Sequence, residues 1–232
     1  MKLAIMQPYL FPYAGYFNLL GQVDHFVFYD DVNFIKGGWI NRNRLILSGE
    51  VHYFTIPLQG ASPNLKINQI KIQPKKAWER KILESIRQSY SKAPNFRLCF
   101  DLIKEVFDTD SEQIAVLAKR SVIKVSERLG YPQVFTESSE VYGNSFLSGA
   151  ERVIDICKLE DASTYINLPG GKALYEHSSF AKAGIELRFS RPALVSYDQF
   201  GRNFEAGLSV IDMMMFNSFE DCVALIGQER PE

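Results

Sequence analysis

Within its first thirty or so residues the chain reads strand, loop, helix, strand, and no other feature restricts the fold as much. Two strands joined through a helix lie parallel, and the crossover between them is right-handed in nearly all proteins. Residues 2–7 are a short apolar run with little polar punctuation, as in a strand buried on both faces. Gln7-Pro8-Tyr9-Leu10-Phe11-Pro12-Tyr13-Ala14-Gly15-Tyr16 follows, and its two prolines and one glycine predict a loop entering a helix. That helix runs from about residue 13 or 14 to residue 20. Residues 25–29 form the second strand, which Asp30-Asp31 ends.

The remaining pattern extends this opening. Residues 42–47 and 51–57 are strand-like runs around Ser48-Gly49-Glu50, predicting a hairpin, and 67–72 adds another strand. Helical periodicity follows over 76–90, 95–107 and 110–129. Thr109 and Glu112 have capping-box spacing at the start of the third helix, and Gly130 with Pro132 stops it. The last third alternates strand 133–138, helix 146–158, strand 164–168, helix 173–182 and strand 185–190. Residues 208–226 are helical with a break near Asn217-Ser218. The expected fold is α/β, a Rossmann-like, mostly parallel sheet in a single domain over 1–232. A hairpin and helical insert occupies about 42–130.

Composition narrows the function classes. A net charge of −1 over 232 residues argues against a nucleic-acid binder. No stretch approaches the ~20 apolar residues of a membrane span, so no membrane insertion is expected. Cys99, Cys157 and Cys222 are far apart and sit in apolar helical patterns. With no signal-peptide pattern, they read as reduced, buried thiols in a cytoplasmic protein. His25, His52 and His177 form no HExxH or HxxxH pair, and no GxSxG elbow is present. No zinc, haem or flavin is expected. Met213, Met214 and Met215 are core fillers. The oligomeric state is open: cytoplasmic α/β enzymes are often homodimers, but no interface stripe stands out.

Four segments are candidates for chemistry. The first is the loop 7–16, where Gln7, Tyr9, Tyr13, Gly15 and Tyr16 stand at the carboxyl end of the first strand. Ligands of parallel sheets bind at such ends, and a helix N-terminus there offers free N–H groups to phosphate or carboxylate. Packing of the aromatic rings is the alternative. The second is Asp30-Asp31, two carboxylates suited to Mg²⁺ or to proton transfer, or else a solvated turn. The third runs from Lys36 through Trp39 to Asn41, Arg42, Asn43 and Arg44. On a strand Arg42 and Arg44 share one face, and their forks suit phosphate. An edge strand protected by charge is the alternative. The fourth is Asn167-Leu168-Pro169-Gly170-Gly171-Lys172, a glycine-rich strand-to-helix loop without Walker A or dinucleotide spacing, or a plain turn.

These segments resemble a known family. Met6-Gln7-Pro8-Tyr9-Leu10-Phe11-Pro12-Tyr13, Gly15-Tyr16-Phe17, Tyr29-Asp30-Asp31-Val32 and Gly38-Trp39-Ile40-Asn41-Arg42-Asn43 are similar to the WbqC-like family of bacterial proteins. Asn167-Leu168-Pro169-Gly170-Gly171, Leu174-Tyr175 and Leu208-Ser209-Val210-Ile211-Asp212 agree with it. Members occur in O-antigen and other surface-polysaccharide gene clusters, and gene context has suggested glycine or acyl transfer. The resemblance therefore implies a transferase that attaches an amino-acid or other acyl group to an amino sugar or nucleotide-sugar. More distantly, the order strand, P-x-x-G-x helix, strand, acidic turn resembles the HxGH nucleotidylyltransferase superfamily. That likeness implies an acyl-adenylate route with ATP on the 7–16 loop and Mg²⁺ at Asp30 or Asp31. Arg42 and Arg44 would then neutralise phosphate. Here Tyr13 and Tyr16 stand where that superfamily has histidines, and a phenol brings no positive charge at neutral pH. The replacement supports a second expectation, a non-catalytic module that binds a nucleotide-sugar or glycan intermediate.

Overall fold

A computed structural model describes residues 1–230. The opening unit forms as its pattern dictates: β1 (Lys2–Met6), α1 (Ala14–Leu20) and β2 (His25–Phe28). Next come the hairpin β3 (Arg42–Leu47) and β4 (Glu50–Thr55), then two short antiparallel strands, β5 (Leu58–Gln59) and β6 (Lys71–Ile72). Ser48 and Gly49 take φ of 52° and 91°, the left-handed pair that a tight hairpin turn requires. Three helices follow, α2 (Glu79–Tyr90), α3 (Phe96–Phe107) and α4 (Ile114–Leu129). The last third contributes β7 (Val134–Thr136), α5 (Gly149–Leu159), β8 (Thr164–Asn167), α6 (His177–Lys182) and β9 (Glu186–Phe189). Helices α7 (Val210–Phe216) and α8 (Phe219–Ile226) close the fold.

The central sheet has the order β7-β2-β1-β8-β9, and all four pairings are parallel. The strand period of two sorts its side chains between two cores. Leu3, Ile5, Val27, Tyr165 and Leu187 join Val153, Ile156 and Cys157 of α5 and Phe180 of α6. Ala4, Phe26, Phe28 and Ile166 join the residues of α1, the insert, α7 and α8. This second cluster runs without a break from the sheet to Trp78, Ile82 and Ile86 of the insert. From β1 the chain moves to β2 on one side and later returns to β8 on the other. The switch in direction lies between β1 and β8, so the loops after these two strands meet there.

Several local expectations differ. Residues 67–72 are not one strand: Ile67–Gln69 is a 3-10 turn, and only Lys71–Ile72 pairs. The helix expected at 76–90 starts at Glu79, after a 3-10 turn at Lys75–Ala77, and the one at 173–182 starts at His177. The capping box at Thr109 and Glu112 is absent. Thr109 Oγ1 accepts from Ser111 N at 3.2 Å and Ser111 Oγ accepts from Gln113 N at 3.2 Å, so the hydroxyls build turns that delay α4. The break at Asn217-Ser218 is present, with Ser218 Oγ capping Asp221 N at 3.0 Å. Cys99, Cys157 and Cys222 are free and buried, and burial pushes each thiol up to about 12. Met213, Met214 and Met215 are core residues. Among the described residues no helix is long and apolar enough to cross a membrane.

Candidate functional site

The loop after β1 is held in one shape by polar side chains from distant elements. Phe11 N donates to Ser121 Oγ of α4 at 2.8 Å. Asn43 Nδ2 of β3 donates to Leu10 O at 3.0 Å and Phe11 O at 2.8 Å, and Ser209 Oγ donates to Phe11 O at 2.7 Å. Phe11 itself is buried at φ 41°, a left-handed conformation that costs about 1–3 kcal/mol in a non-glycine residue. The surrounding bonds over-determine that strain, and it aims Tyr9 and Tyr13 to the same side. Leu10 N donates to Trp39 O at 2.9 Å, which ties the segment before β3 to the same loop.

Tyr9, Pro12 and Tyr13 line a pocket of about 350 Å³ with Trp39, Asn43, Arg44, Leu168, Gly170, Leu194 and Gly207. It joins three of the four segments singled out in the sequence, beside the switch between β1 and β8. Its polar side chains are two phenols, an amide and a guanidinium. Burial raises the pKa of Tyr9, and burial followed by the neighbouring Tyr9 raises that of Tyr13, so both phenols stay protonated at neutral pH. A guanidinium nitrogen of Arg44 donates to Gly207 O at 2.9 Å, and its Nε is buried with no partner among the described residues. Gly207 has φ 69°, and a Cβ there would stand 3.2 Å from the Arg44 guanidinium. The Asn43 amide is already committed to the loop carbonyls. Among the described residues no carboxylate, imidazole, thiol or amine lines the pocket. Such a wall suits an anionic, acceptor-rich ligand with a ring face.

Gly15 acts differently from the expected ligand approach. A Cβ on Gly15 would fall 2.3 Å from Tyr13 Cε2, because the Tyr13 ring folds back over the first turn of α1. The ring covers the helix N-terminus that was expected to face phosphate. Gly15→Ala is therefore expected to push Tyr13 aside while leaving the melting point nearly unchanged. Alanine is a better helix former by about 1 kcal/mol, which offsets the displaced contact. Differential scanning fluorimetry, together with the fluorescence of a ligand titration, would show intact folding and weakened binding.

The other sequence candidates lie outside the pocket lining. Tyr16 is fully buried, and its hydroxyl donates to Gln7 O at 2.9 Å, so it packs beneath the loop. Burial holds its pKa well above the ordinary phenol value. Asn41 Nδ2 donates to Ile56 O at 2.9 Å, and Lys36 is exposed. Asn167 is buried, with Oδ1 accepting from Leu168 N at 2.7 Å and its amide filling the space a Gly171 Cβ would take. Arg42 Nε donates to Gly38 O at 3.2 Å, and its terminal nitrogen donates to Gly37 O.

Asp30 and Asp31 are buried ion-pair partners rather than a solvated turn. Asp30 Oδ2 accepts from Lys119 Nζ at 2.9 Å, and Oδ1 accepts from Ser138 Oγ at 2.6 Å. Asp31 accepts the Arg152 fork at 2.8 and 2.6 Å and the Ser139 hydroxyl. All four oxygens are thus engaged, and a divalent cation would have to displace one of these groups. Among the described residues no group of three or more His, Cys, Asp or Glu side chains is placed to hold a metal. The residues do not fit a Mg²⁺ site. His25 is also structural, its Nδ1 3.1 Å from Glu160 Oε2 and its Nε2 2.8 Å from Thr136 Oγ1.

Leu194 and Gly207 were missed in the sequence. They belong to a stretch without regular structure between β9 and α7, which carries no motif. Its anchor is Asp212, which is fully buried. Asp212 Oδ2 accepts from Tyr90 Oη at 2.6 Å, and Oδ1 accepts from Tyr197 Oη at 2.8 Å and Gln199 Nε2 at 2.8 Å. Gln199 Oε1 in turn accepts from Glu205 N at 2.8 Å. The available signals were an acid within an apolar helix pattern, Asp212, and the family-like Leu208-Ser209-Val210-Ile211-Asp212 that adjoins Gly207.

No solved structure matches this chain. The chain is 26% identical over 235 residues to the uncharacterized protein Rv1507c of Mycobacterium tuberculosis, covering 100% of this chain and 96% of that one. The model of the WbqC-like protein family matches residues 7–223, from the loop that follows β1 to the middle of α8, and so includes every segment that lines the pocket. By that match the chain belongs to the WbqC-like protein family.

Proposed function

We propose that the pocket holds the sugar end of a nucleotide-activated amino sugar. In this reading the protein attaches an amino-acid or other acyl group to that sugar during surface-polysaccharide assembly. One observation carries it: an aromatic pocket with a guanidinium and two phenols at the switch of a parallel sheet, with the Arg44 Nε buried and unpartnered among the described residues. Aromatic faces take sugar rings, and a guanidinium takes the attached phosphate. Arg44 would also offset negative charge developing on the acyl oxygen, with Tyr9 and Tyr13 as protonated donors. Tyr13 covers the α1 N-terminus and the aspartates are paired. An acyl group that arrives already activated therefore fits this pocket better than adenylate formation on the loop.

The lining also favours a second reading, binding without chemistry, because among the described residues it contains no group able to act as a base at neutral pH. Thermal shift and calorimetry against UDP- and dTDP-sugars, followed by mass spectrometry with acyl donors, separate the two. Arg44→Ala is expected to weaken binding about 10- to 100-fold, the scale of a charge-assisted bond. Unchanged affinity in Arg44→Ala would remove both readings from this pocket. An acylated sugar among the products supports transfer, and tight binding with no product from any donor supports the binding module.

A further inference from the structure

The pocket, at about 350 Å³, is at the small end of ligand sites, so a nucleotide-sugar whose glycosyl end sits in it extends beyond it. One of its walls continues outward. The Trp39 ring lies 6.1 Å from the Tyr53 ring, tilted by 33°. The Arg44 guanidinium stands 5.8 Å from the Trp39 centroid and the Arg42 guanidinium 4.3 Å from the Tyr53 centroid. The order along the hairpin is therefore Arg44, Trp39, Tyr53, Arg42, beginning at the pocket.

Four features set this face apart from a charged edge strand. Arg42 and Arg44 are two positions apart on β3, so they share a face at about 7 Å spacing. Tyr53 sits directly across from Arg44 in the ladder. Among the described residues, both arginines hydrogen-bond only to main-chain carbonyls, so the two positive charges have no carboxylate between them. Meanwhile Tyr53 is 49% exposed and Trp39 37% exposed, which places aromatic surface in water beside those charges. Charge protection of an edge needs no rings, and two neighbouring guanidiniums repel unless an anion lies between them.

We infer that this outer face of the hairpin reads the diphosphate of a nucleoside-diphosphate sugar whose glycosyl end occupies the pocket. Arg42 and Arg44 bracket the two phosphates, and Tyr53 lies against the nucleoside. The protein thereby selects diphosphate-linked sugars over sugar 1-phosphates. This inference rests on the reading of the pocket as a sugar site.

The test is calorimetry on the full chain with UDP-N-acetylglucosamine, dTDP-glucose and the matching sugar 1-phosphates. At least one nucleotide-sugar is expected to bind roughly tenfold or more tighter than its sugar 1-phosphate. Arg42→Ala and Tyr53→Ala should each erase about 5- to 20-fold of that preference and leave sugar 1-phosphate affinity within about twofold. Tyr53→Ala guards against a folding effect of Arg42→Ala, since Arg42 also ties the turn at Gly37 and Gly38. Equal binding of both ligand classes, with Arg44→Ala weakening both, would overturn the inference and leave the pocket reading in place. Nucleotide-sugar preference that survives both hairpin variants would also overturn it. Absence of binding by any of these ligands would overturn the pocket reading and the inference together.

Discussion

Arg152→Ala is expected to lower the unfolding free energy by about 3–5 kcal/mol, a drop in melting point on the order of 10 °C for a chain of this size. Arg152 and Asp31 are 2% and 3% exposed, so removing the cation leaves a carboxylate inside the protein with only Ser139 as partner. Arg152 also donates to Asn144 Oδ1 at 2.9 Å and stands 5.0 Å from the Tyr29 ring, so several contacts vanish together. Burial pushes the Asp31 carboxyl up, but the Arg152 fork and the Ser139 hydroxyl outweigh it, and the net pKa lies below the ordinary value. The stability that Asp31 contributes is thus present above the ordinary carboxylate pKa of ~4 and is lost as pH falls through its lower folded value. In Arg152→Ala burial is opposed only by the Ser139 hydroxyl and the Lys66 charge, so the folded pKa rises and the variant loses less stability than the wild type as the pH is lowered toward ~4. Urea titrations at pH 4, 5.5 and 7 measure both effects. A loss under ~1 kcal/mol at pH 7 would show that the pair does not hold α5 to the sheet.

Asp212→Ala is expected to cost about 2–4 kcal/mol and also to weaken ligand binding. The alanine strands the hydroxyls of Tyr90 and Tyr197, each a buried donor whose lost partner costs about 1–3 kcal/mol, and leaves Gln199 Nε2 only its longer bonds at 3.3 Å to Tyr197 Oη and Glu205 O. Tyr197 and Gln199 anchor the stretch that carries Leu194 and Gly207, and Gly207 O receives the Arg44 guanidinium. Loss of the anchor therefore reaches the pocket. Asp212→Asn isolates the charge. Burial raises the Asp212 pKa, and the bonds from Tyr90, Tyr197 and Gln199 lower it by less. Its stabilising contribution is complete below ~4 and lost as pH rises through the raised folded value. The asparagine variant should show a flatter stability profile across that window. Hydrogen exchange over residues 190–209 should accelerate in Asp212→Ala, and protection equal to wild type would refute the anchoring role.

What the sequence made legible was local. The apolar run before Gln7 and the strand before Asp30 announced β1 and β2, and the stripe from Phe96 to Phe107 announced α3. Arg42 and Arg44 on one face of a hairpin strand, with Asn43 on the other, followed from period two. Pairing at a distance was not legible. The Asp30-Asp31 dipeptide reads alike for metal, turn or ion pair, and the deciding cations lie 89 and 121 positions away. Tyr16 and Tyr13 look equivalent in a loop, yet one falls under the loop and the other over α1. The stretch before α7 lacks periodicity because its shape depends on Asp212 and Arg44, side chains from elements outside it.

The position of β1 also bears on how the molecule is made. Its two neighbours are β2, which follows within twenty residues, and β8, whose Thr164 and Tyr165 pair with Lys2 and Leu3. Ile226 O of α8 accepts from Asn18 Nδ2 of α1 at 2.7 Å, so the first helix is sealed by the last. During synthesis β1 leaves the ribosome before β8 and waits with one edge open until about 160 further residues have followed. Closing that gap brings together segments far apart in the chain, a slow step in folding. No break between β2 and β8 leaves a fragment with a complete centre, and a nascent chain of this protein depends on whatever shields that edge in the interval.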